Sequence, residues 1–288
     1  MKTAPIVSVI IPIYNRADLL HLSLESVLRQ TVEEIEILVI DDHSTDPLDD
    51  LITRYGDSRI QLIRLATNGG VSRARNVGIQ NSVAPFIALL DSDDRWHRNK
   101  LARQLDFMNE HPSLPLVHTE EIWIRNGKRI NPCKHNKKTG GNIFYPSLHL
   151  CLISPSTVML RSAAFQNYGL FDTALPVCED YDMWLRIASK EEVGFISDPL
   201  IEKYGGHADQ LSTAYPAMDR YRVQSMLKLL QAPHLTVFDK AEIHRVIVKK
   251  ATILFQGAFK RGLAEAALYE QWMKDSMAGA ATNGGFPP

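Results

Sequence analysis

The sequence predicts an α/β protein: a mostly parallel sheet flanked by helices, followed by a C-terminal α-helical region. Three observations carry this expectation. Short apolar runs rich in β-branched residues alternate with helix-periodic stretches up to about residue 100, the pattern of a doubly wound parallel sheet. Two of these runs end in clustered aspartates, Asp41-Asp42 and Asp91-Ser92-Asp93-Asp94. From about Pro216 onward, helical patterns follow one another with no strand between them.

Val7 to Ile13 is the first strand, and Tyr14-Asn15-Arg16 is the turn after it. Leu20, Leu24, Val27 and Leu28 then recur at helical spacing, with Asn15 or Asp18 as a candidate N-cap. Ile35 to Ile40 is a second strand, Pro47 to Tyr55 a helix, and Ile60 to Leu65 a third strand. Asn68-Gly69-Gly70 is a loop opening a helix over Val71 to Asn81. Phe86 to Leu90 is short, apolar and preceded by Pro85, so it reads as a buried parallel strand. A helix over Lys100 to Glu110 follows, then two strands around the Asn126-Gly127 turn between Leu116 and Ile130.

Lys134 to Asn142 is basic, polar and glycine-rich, and reads as a mobile loop. Ser156 to Leu160 is a short strand. Glu179-Asp180-Tyr181-Asp182 puts acids in the first turn of a helix, where they suit its dipole. Phe195 to Ser197 and Leu200 to Tyr204 are late strands. Met218 to Leu230, Lys240 to Phe255 and Gly262 to Trp272 are three further helices. The expected division is a catalytic domain over residues 1–215 and a helical extension over 216–288. Met226, Leu227, Leu229 and Leu230 are expected to pack on that domain or on a partner subunit, and a homodimer through these helices is one option.

The bulk numbers narrow the classes. A chain of 288 residues that is 45% hydrophobic can bury a large core, which excludes global disorder. A net charge of −1 argues against nucleic acid as the main partner. Cys133, Cys151 and Cys178 are odd in number, far apart and without a CxxC pair, so neither a disulfide framework nor a zinc site is expected. No signal-like segment opens the chain, and no apolar run approaches the roughly 20 residues a bilayer span requires. The expectation is a cytoplasmic protein, with peripheral contact at the inner face of a membrane left open.

The acidic clusters carry the chemistry. In open α/β sheets ligands bind beyond the carboxyl ends of the strands. Carboxylates crowded at such an end repel unless a cation joins them, and Mg²⁺ is often held by one or two carboxylates together with substrate phosphates. A solvated acidic turn is the plain alternative. Gly69, Gly70 and Gly78 do not form GxGxxG, so no dinucleotide fingerprint is present.

From Val7 to Ser212 the chain resembles the family 2 glycosyltransferases, inverting enzymes of the GT-A fold with a Rossmann-like nucleotide-binding sheet. Five blocks carry the resemblance: Val9 to Arg16; Val39 to Asp46, with His43 where glycine is usual; Asn68 to Gly78; Leu90 to Asp94, similar to the DxD motif, with Trp96 and Lys100 after it; and Gly169 to Asp172 together with Glu179 to Arg186. The resemblance implies transfer of a sugar from a nucleoside diphosphate to an acceptor hydroxyl of a carbohydrate or glycolipid. Mn²⁺ or Mg²⁺ would assist, and a polysaccharide or glycolipid pathway is the expected setting.

It also implies roles for single residues. Asp93 is expected to bind the metal, with Asp91 and Ser92 near the ribose or reached through water. Asp94 is expected to cap the following helix. Asp41 or Asp42 would accept hydrogen bonds from the nucleobase or ribose, which favours uracil. Pro12 and Tyr14 would wall the base, although Tyr14 also reads as an ordinary strand-end aromatic, and Arg16 lies in the same block. Arg75 would lie near the nucleotide or form a surface salt bridge. Asp180 is the candidate general base, with Glu179 and Asp182 as rivals, and Trp184 would share its face and shape the acceptor pocket. His207, in Tyr204 to Ser212, is a candidate metal ligand on a closing loop, with Gln210 and Ser212 fixing the loop near the diphosphate; a surface histidine is the alternative. A metal-dependent nucleotidyltransferase and a non-catalytic sugar-nucleotide-binding protein are the competing readings. The first would need a glycine-rich triphosphate loop after strand one, where this chain has Tyr14-Asn15-Arg16.

Overall fold

The computed structural model describes residues 3–130, 137–206 and 215–282. Within them the chain begins β1 (Val7–Ile13), α1 (Ala17–Leu28), β2 (Ile35–Asp41), α2 (Leu48–Tyr55), β3 (Ile60–Arg64), α3 (Gly70–Asn81), β4 (Phe86–Leu89). The middle is β5 (Arg95–Trp96), α4 (Lys100–Glu110), β6 (Leu116–Arg125), β7 (Lys128–Ile130), α5 (Phe144–His149), a 3₁₀ turn (Pro155–Thr157), β8 (Met159–Arg161), α6 (Ala164–Tyr168), α7 (Glu179–Ala188) and β9 (Gly194–Gly205). Three helices follow: α8 (Asp219–Leu229), α9 (Val237–Lys260) and α10 (Ala266–Thr282).

One sheet runs in the order β3-β2-β1-β4-β8-β6-β9-β5, with β7 paired to β6. The long registers, β1 with β2, β2 with β3, β1 with β4 and β6 with β9, are parallel. The sheet is thus mostly parallel, as the sequence predicts, and β8 enters antiparallel to both β4 and β6. Side chains alternate across the sheet as a two-residue period demands. Ile10, Leu38, Ile40, Ile87 and Leu89 face one apolar cluster, and Val7, Val9, Ile11, Ile37, Val39 and Ala88 face the other. Gly78 lets α3 lie close on β1: a Cβ there would come within 2.5 Å of the Ile10 side chain.

The topology sets the site. β2 and β4 flank β1, and all three run in the same direction. Asp41 closes β2 and Asp91 follows β4, so both acidic clusters open on one crevice at the carboxyl end of the sheet.

Other expectations need revision. The two late strands are one, β9, which bends past β6 through register shifts beside Glu120. The last helix starts at Ala266 and not at Gly262, because Gly262 takes a left-handed φ of 65° that ends α9. The described part of the loop expected to be mobile is anchored: Gly141 bridges Val193, and Lys138 is buried against Glu121 at 2.9 Å. α5, α6 and β5 carry two to six residues each, too few to show a period.

The C-terminal helices share the core on one side of the sheet. Met226 and Leu229 are buried with Leu185 and Ile187 of α7, and Leu227 and Leu230 pack on them partly buried. Tyr145 of α5 donates to Asp239 at 2.6 Å, and Lys250 donates to the His149 carbonyl at 2.8 Å.

Candidate active site

β1 delivers a buried Pro12 and, just past its end, Tyr14, which is 49% exposed at the crevice. The next residue, Asn15, takes a left-handed φ of 50° and fixes the neighbouring loop by accepting from the Thr45 amide at 2.8 Å. Arg16 then reaches Asp93 at 2.9 Å. Arg16 and the acidic cluster lie 77 positions apart in sequence. Their pairing is a product of the β1–β4 register.

Asp41 and Asp42 are almost wholly buried and act on the chain itself. Asp41 accepts from the Ser44 amide at 2.8 Å and from Arg64 at 3.2 Å. Asp42 accepts from the amides of Gly69 and Gly70 at 2.8 and 2.7 Å, occupying two donors that the start of α3 would leave orphaned. Burial raises the Asp42 carboxyl, against the pull of those two amides.

The Asp91 to Asp94 cluster divides into half-buried members, Asp91 and Asp93, and buried ones, Ser92 and Asp94. Asp91 bonds Arg75 at 2.7 Å, and its amide donates to Ser156 Oγ at 3.0 Å. Ser92 is buried. Asp93 has its carboxyl raised, by burial first and then by the charge of Asp91. Asp94 does not cap the following helix, which starts six residues later with Asn99 before it. It is 1% exposed and accepts from Ser156 Oγ at 2.6 Å and the Tyr204 amide at 3.1 Å. Asp94 therefore ties the cluster to β9. Trp96 and Lys100 brace it from below: the indole donates to the Ser156 carbonyl at 2.9 Å, and the buried ammonium lies 4.0 Å above the indole ring.

Arg75 is neither exposed nor a surface ion pair. At 3% exposure its guanidinium joins Asp91 at 2.7 Å to Glu179 at 2.5 Å. Burial opposes its charge, but Asp91 and Glu179 outweigh that and hold it protonated. Glu179 is pushed up to about 7, by burial and then by Asp180. Asp180 is half-buried at the start of α7, and its Oδ2 accepts from the Cys151 thiol at 3.5 Å. Of the three acids in that turn, Glu179 is taken by Arg75, and Asp182 by Arg186 at 2.9 Å and Lys228 at 3.3 Å. Asp180 is the one without an ion pair among the described residues. Trp184 does not shape a pocket: it is 3% exposed and packs edge-on against Phe171.

Lys203 and the Glu121–Lys138 pair, at 2.9 Å, are charges near the cluster that no sequence motif marks. Although burial pulls the Lys203 ammonium down, Asp94, Glu121, Asp91 and Asp180 together raise it. Its only sequence signal is a lysine between Glu202 and Tyr204 in a late strand. His207, Gln210 and Ser212 lie outside the described residues.

Among the described residues no three His, Cys, Asp or Glu side chains gather as a metal cage. Asp91 and Asp93 nevertheless lie close enough to repel. A pair of carboxylates fits a hard cation that takes its remaining ligands from phosphate and water.

The profile of glycosyl transferase family 2 matches residues 8–169, more than half of the chain, and the chain belongs to that family. An uncharacterised glycosyltransferase of Rickettsia felis is 38% identical over 195 residues, which are 67% of this chain and 32% of that protein. The chain thus spans about a third of that relative's length. The Escherichia coli protein WfaP, a UDP-Glc:α-D-GlcNAc-diphosphoundecaprenol β-1,3-glucosyltransferase, is 34% identical over 190 residues, covering 64% of this chain and 71% of WfaP. The solved structure of S. aureus TarS 1-349 with UDP-GlcNAc superposes with a TM-score of 0.77 at 21% identity, covering 95% of this chain and 81% of that one, so the two share the fold. Among the described residues no helix is long and apolar enough to cross a membrane.

Proposed function

We propose that the chain is an inverting glycosyltransferase that moves a sugar from a nucleoside diphosphate, UDP above others, to an acceptor hydroxyl in polysaccharide or glycolipid synthesis. One observation carries this reading: Arg75 links Asp91 of the acidic cluster to Glu179, the neighbour of Asp180, so donor side and acceptor side meet at one buried cation. The WfaP likeness favours a hydroxyl on a lipid-linked diphosphosugar.

In this mechanism Tyr14 and Pro12 wall the base, and the loops fixed by Asp41 and Asp42 close the crevice around the ribose. Arg16 and Arg75 set the charge around Asp93 and Asp91. Those two carboxylates would hold Mn²⁺ or Mg²⁺, and His207 would join them; the bound ion would supply Lewis-acid relief of the charge developing on the leaving diphosphate. Asp180 takes the proton of the acceptor hydroxyl while its oxygen bonds to the anomeric carbon on the face opposite the diphosphate. The bond from that carbon to the phosphate oxygen breaks with its electron pair, and the nucleoside diphosphate leaves. Residues 1–215 form the catalytic unit, and 216–288 are a helical extension that completes its core.

The experiment is a thermal-stability screen of nucleotide sugars with Mn²⁺, followed by measurement of nucleoside diphosphate released in the presence of a GlcNAc-diphospholipid analogue. Stabilisation by a UDP-sugar with acceptor-dependent UDP release is expected. Pyrophosphate release would instead favour a nucleotidyltransferase. Binding with no turnover of any donor would favour a non-catalytic role.

A further inference from the structure

α9 and α10 form a hairpin packed so closely that a Cβ at Gly279 would overlap His244. Its tip is built rigidly. Gly262 takes a left-handed φ of 65°, its amide bonds the Phe259 carbonyl at 3.1 Å, and the Leu263 amide bonds Ala258 at 3.0 Å. Such a helix end ordinarily folds its following apolar residue back on the helix. Here the apolar residues point outward: Phe259 is 71% exposed, Leu263 43% and Leu268 47%. Phe259 meets one other ring, Phe255, at 5.6 Å.

Basic residues surround these side chains. Lys260 and Arg261 are exposed between Phe259 and Leu263. Lys249 and Ile253, the latter 59% exposed, continue along the face of α9 that carries Lys260, at spacings of four and seven. Among the described residues Lys249, Lys260 and Arg261 enter no ion pair, whereas Lys274 of α10 pairs with Glu270 at 2.6 Å. Glu265 is the acid at the tip. Four apolar side chains are far fewer than the roughly 20–30 residues a side of a stable protein interface. Exposed aromatic and aliphatic groups interleaved with unpaired cations suit the boundary between acyl chains and anionic headgroups.

We propose that the α9–α10 tip is a membrane-docking element, in which Phe259, Leu263 and Leu268 enter the headgroup–acyl boundary of an anionic lipid surface and Lys249, Lys260 and Arg261 pair with its phosphates. The proposal does not depend on which reaction occurs in the acidic crevice.

The test is co-sedimentation of the full chain with vesicles of phosphatidylcholine alone and of phosphatidylcholine mixed with phosphatidylglycerol. The wild type binds the mixed vesicles at least roughly tenfold more tightly, and added salt weakens that binding. Phe259→Ser combined with Leu263→Ser abolishes binding in low and high salt. Lys260→Gln combined with Arg261→Gln removes the preference for the anionic lipid. Both variants keep the wild-type melting temperature, so lost binding is not lost folding. The proposal is overturned if the wild type ignores anionic vesicles or if both double variants bind as it does. It is also overturned if sedimentation shows a dimer that the Phe259/Leu263 variant splits, since the tip would then meet a second copy.

Discussion

Arg75 and Glu179 stand 104 positions apart in the chain, yet their guanidinium and carboxylate meet at 2.5 Å inside the protein. The contact joins α3, which borders the acidic crevice, to α7, which carries Asp180. Removing one member of a buried pair leaves the others uncompensated. Arg75→Met should therefore destabilise the fold by about 3–5 kcal/mol, read by urea denaturation. A loss below about 1 kcal/mol would mean that Asp91 and Glu179 do not need this cation.

Asp180→Asn should keep donor binding and lose transfer, with turnover falling roughly 10²–10⁴-fold. The check pairs calorimetric titration of UDP with the rate of acceptor-dependent UDP release. Near-normal turnover would move the proton-accepting role to Glu179 or Asp182.

Asp93→Asn should weaken Mn²⁺-dependent UDP binding while leaving metal-free melting close to wild type. Arg16 loses its contact with Asp93 in this variant, but at 19% side-chain exposure it is not sealed from water. Titrations of UDP with and without Mn²⁺ separate the effects. Equal affinity for Mn²⁺–UDP in variant and wild type would remove Asp93 from the metal site.

Asp42→Ala should cost about 1–2 kcal/mol, the scale of a lost helix cap, because two amides at the start of α3 lose their acceptor. Hydrogen exchange should rise at Gly69 and Gly70 first. Unchanged protection there would mean that the loop holds its shape without the carboxylate.

His118 makes a pH-dependent prediction. It is fully buried in β6 against Phe195 and Thr139, and it is lowered to about 3, first by burial and then by the charge of Lys138. The Thr139 carbonyl and Glu121 oppose that shift. The unfolded chain, with an ordinary histidine, binds a proton near pH 6.5, and the folded one does not. Stability must therefore fall as pH drops from 6.5 towards 3, by up to ~1.4 kcal/mol per unit from this residue. His118→Gln keeps a donor for Thr139 and should flatten that part of the curve in paired denaturation measurements. Parallel curves would show that His118 is not the group responsible.

Much of this was legible in the residues. β1 to β4 are continuous apolar runs between turn signals, so period and composition agree, and the aspartates after β2 and β4 mark the open end of the sheet. The second half was harder. β8 has three residues and β5 two, and no period is visible over so short a span. Asp94 looked like a helix cap because its partners, Ser156 and Tyr204, lie 62 and 110 positions away. Lys138 reads as part of a mobile polar loop for the same reason, since what fixes it is Glu121 on another strand. Helical spacing puts Trp184 on the Asp180 face, and spacing does not reveal that Phe171 packs against it.

The fit of Gly78 against Ile10 leaves a trace that can be followed across evolutionary time. A methyl group at position 78 would strike a branched side chain that is itself wedged in the core. Lineages that acquire alanine at 78 must therefore shorten position 10 or tilt α3 outward, and tilting would drag Arg75, three residues before, off its two carboxylates. The two positions should drift together in descendants that keep the crevice and come uncoupled in those that have abandoned it.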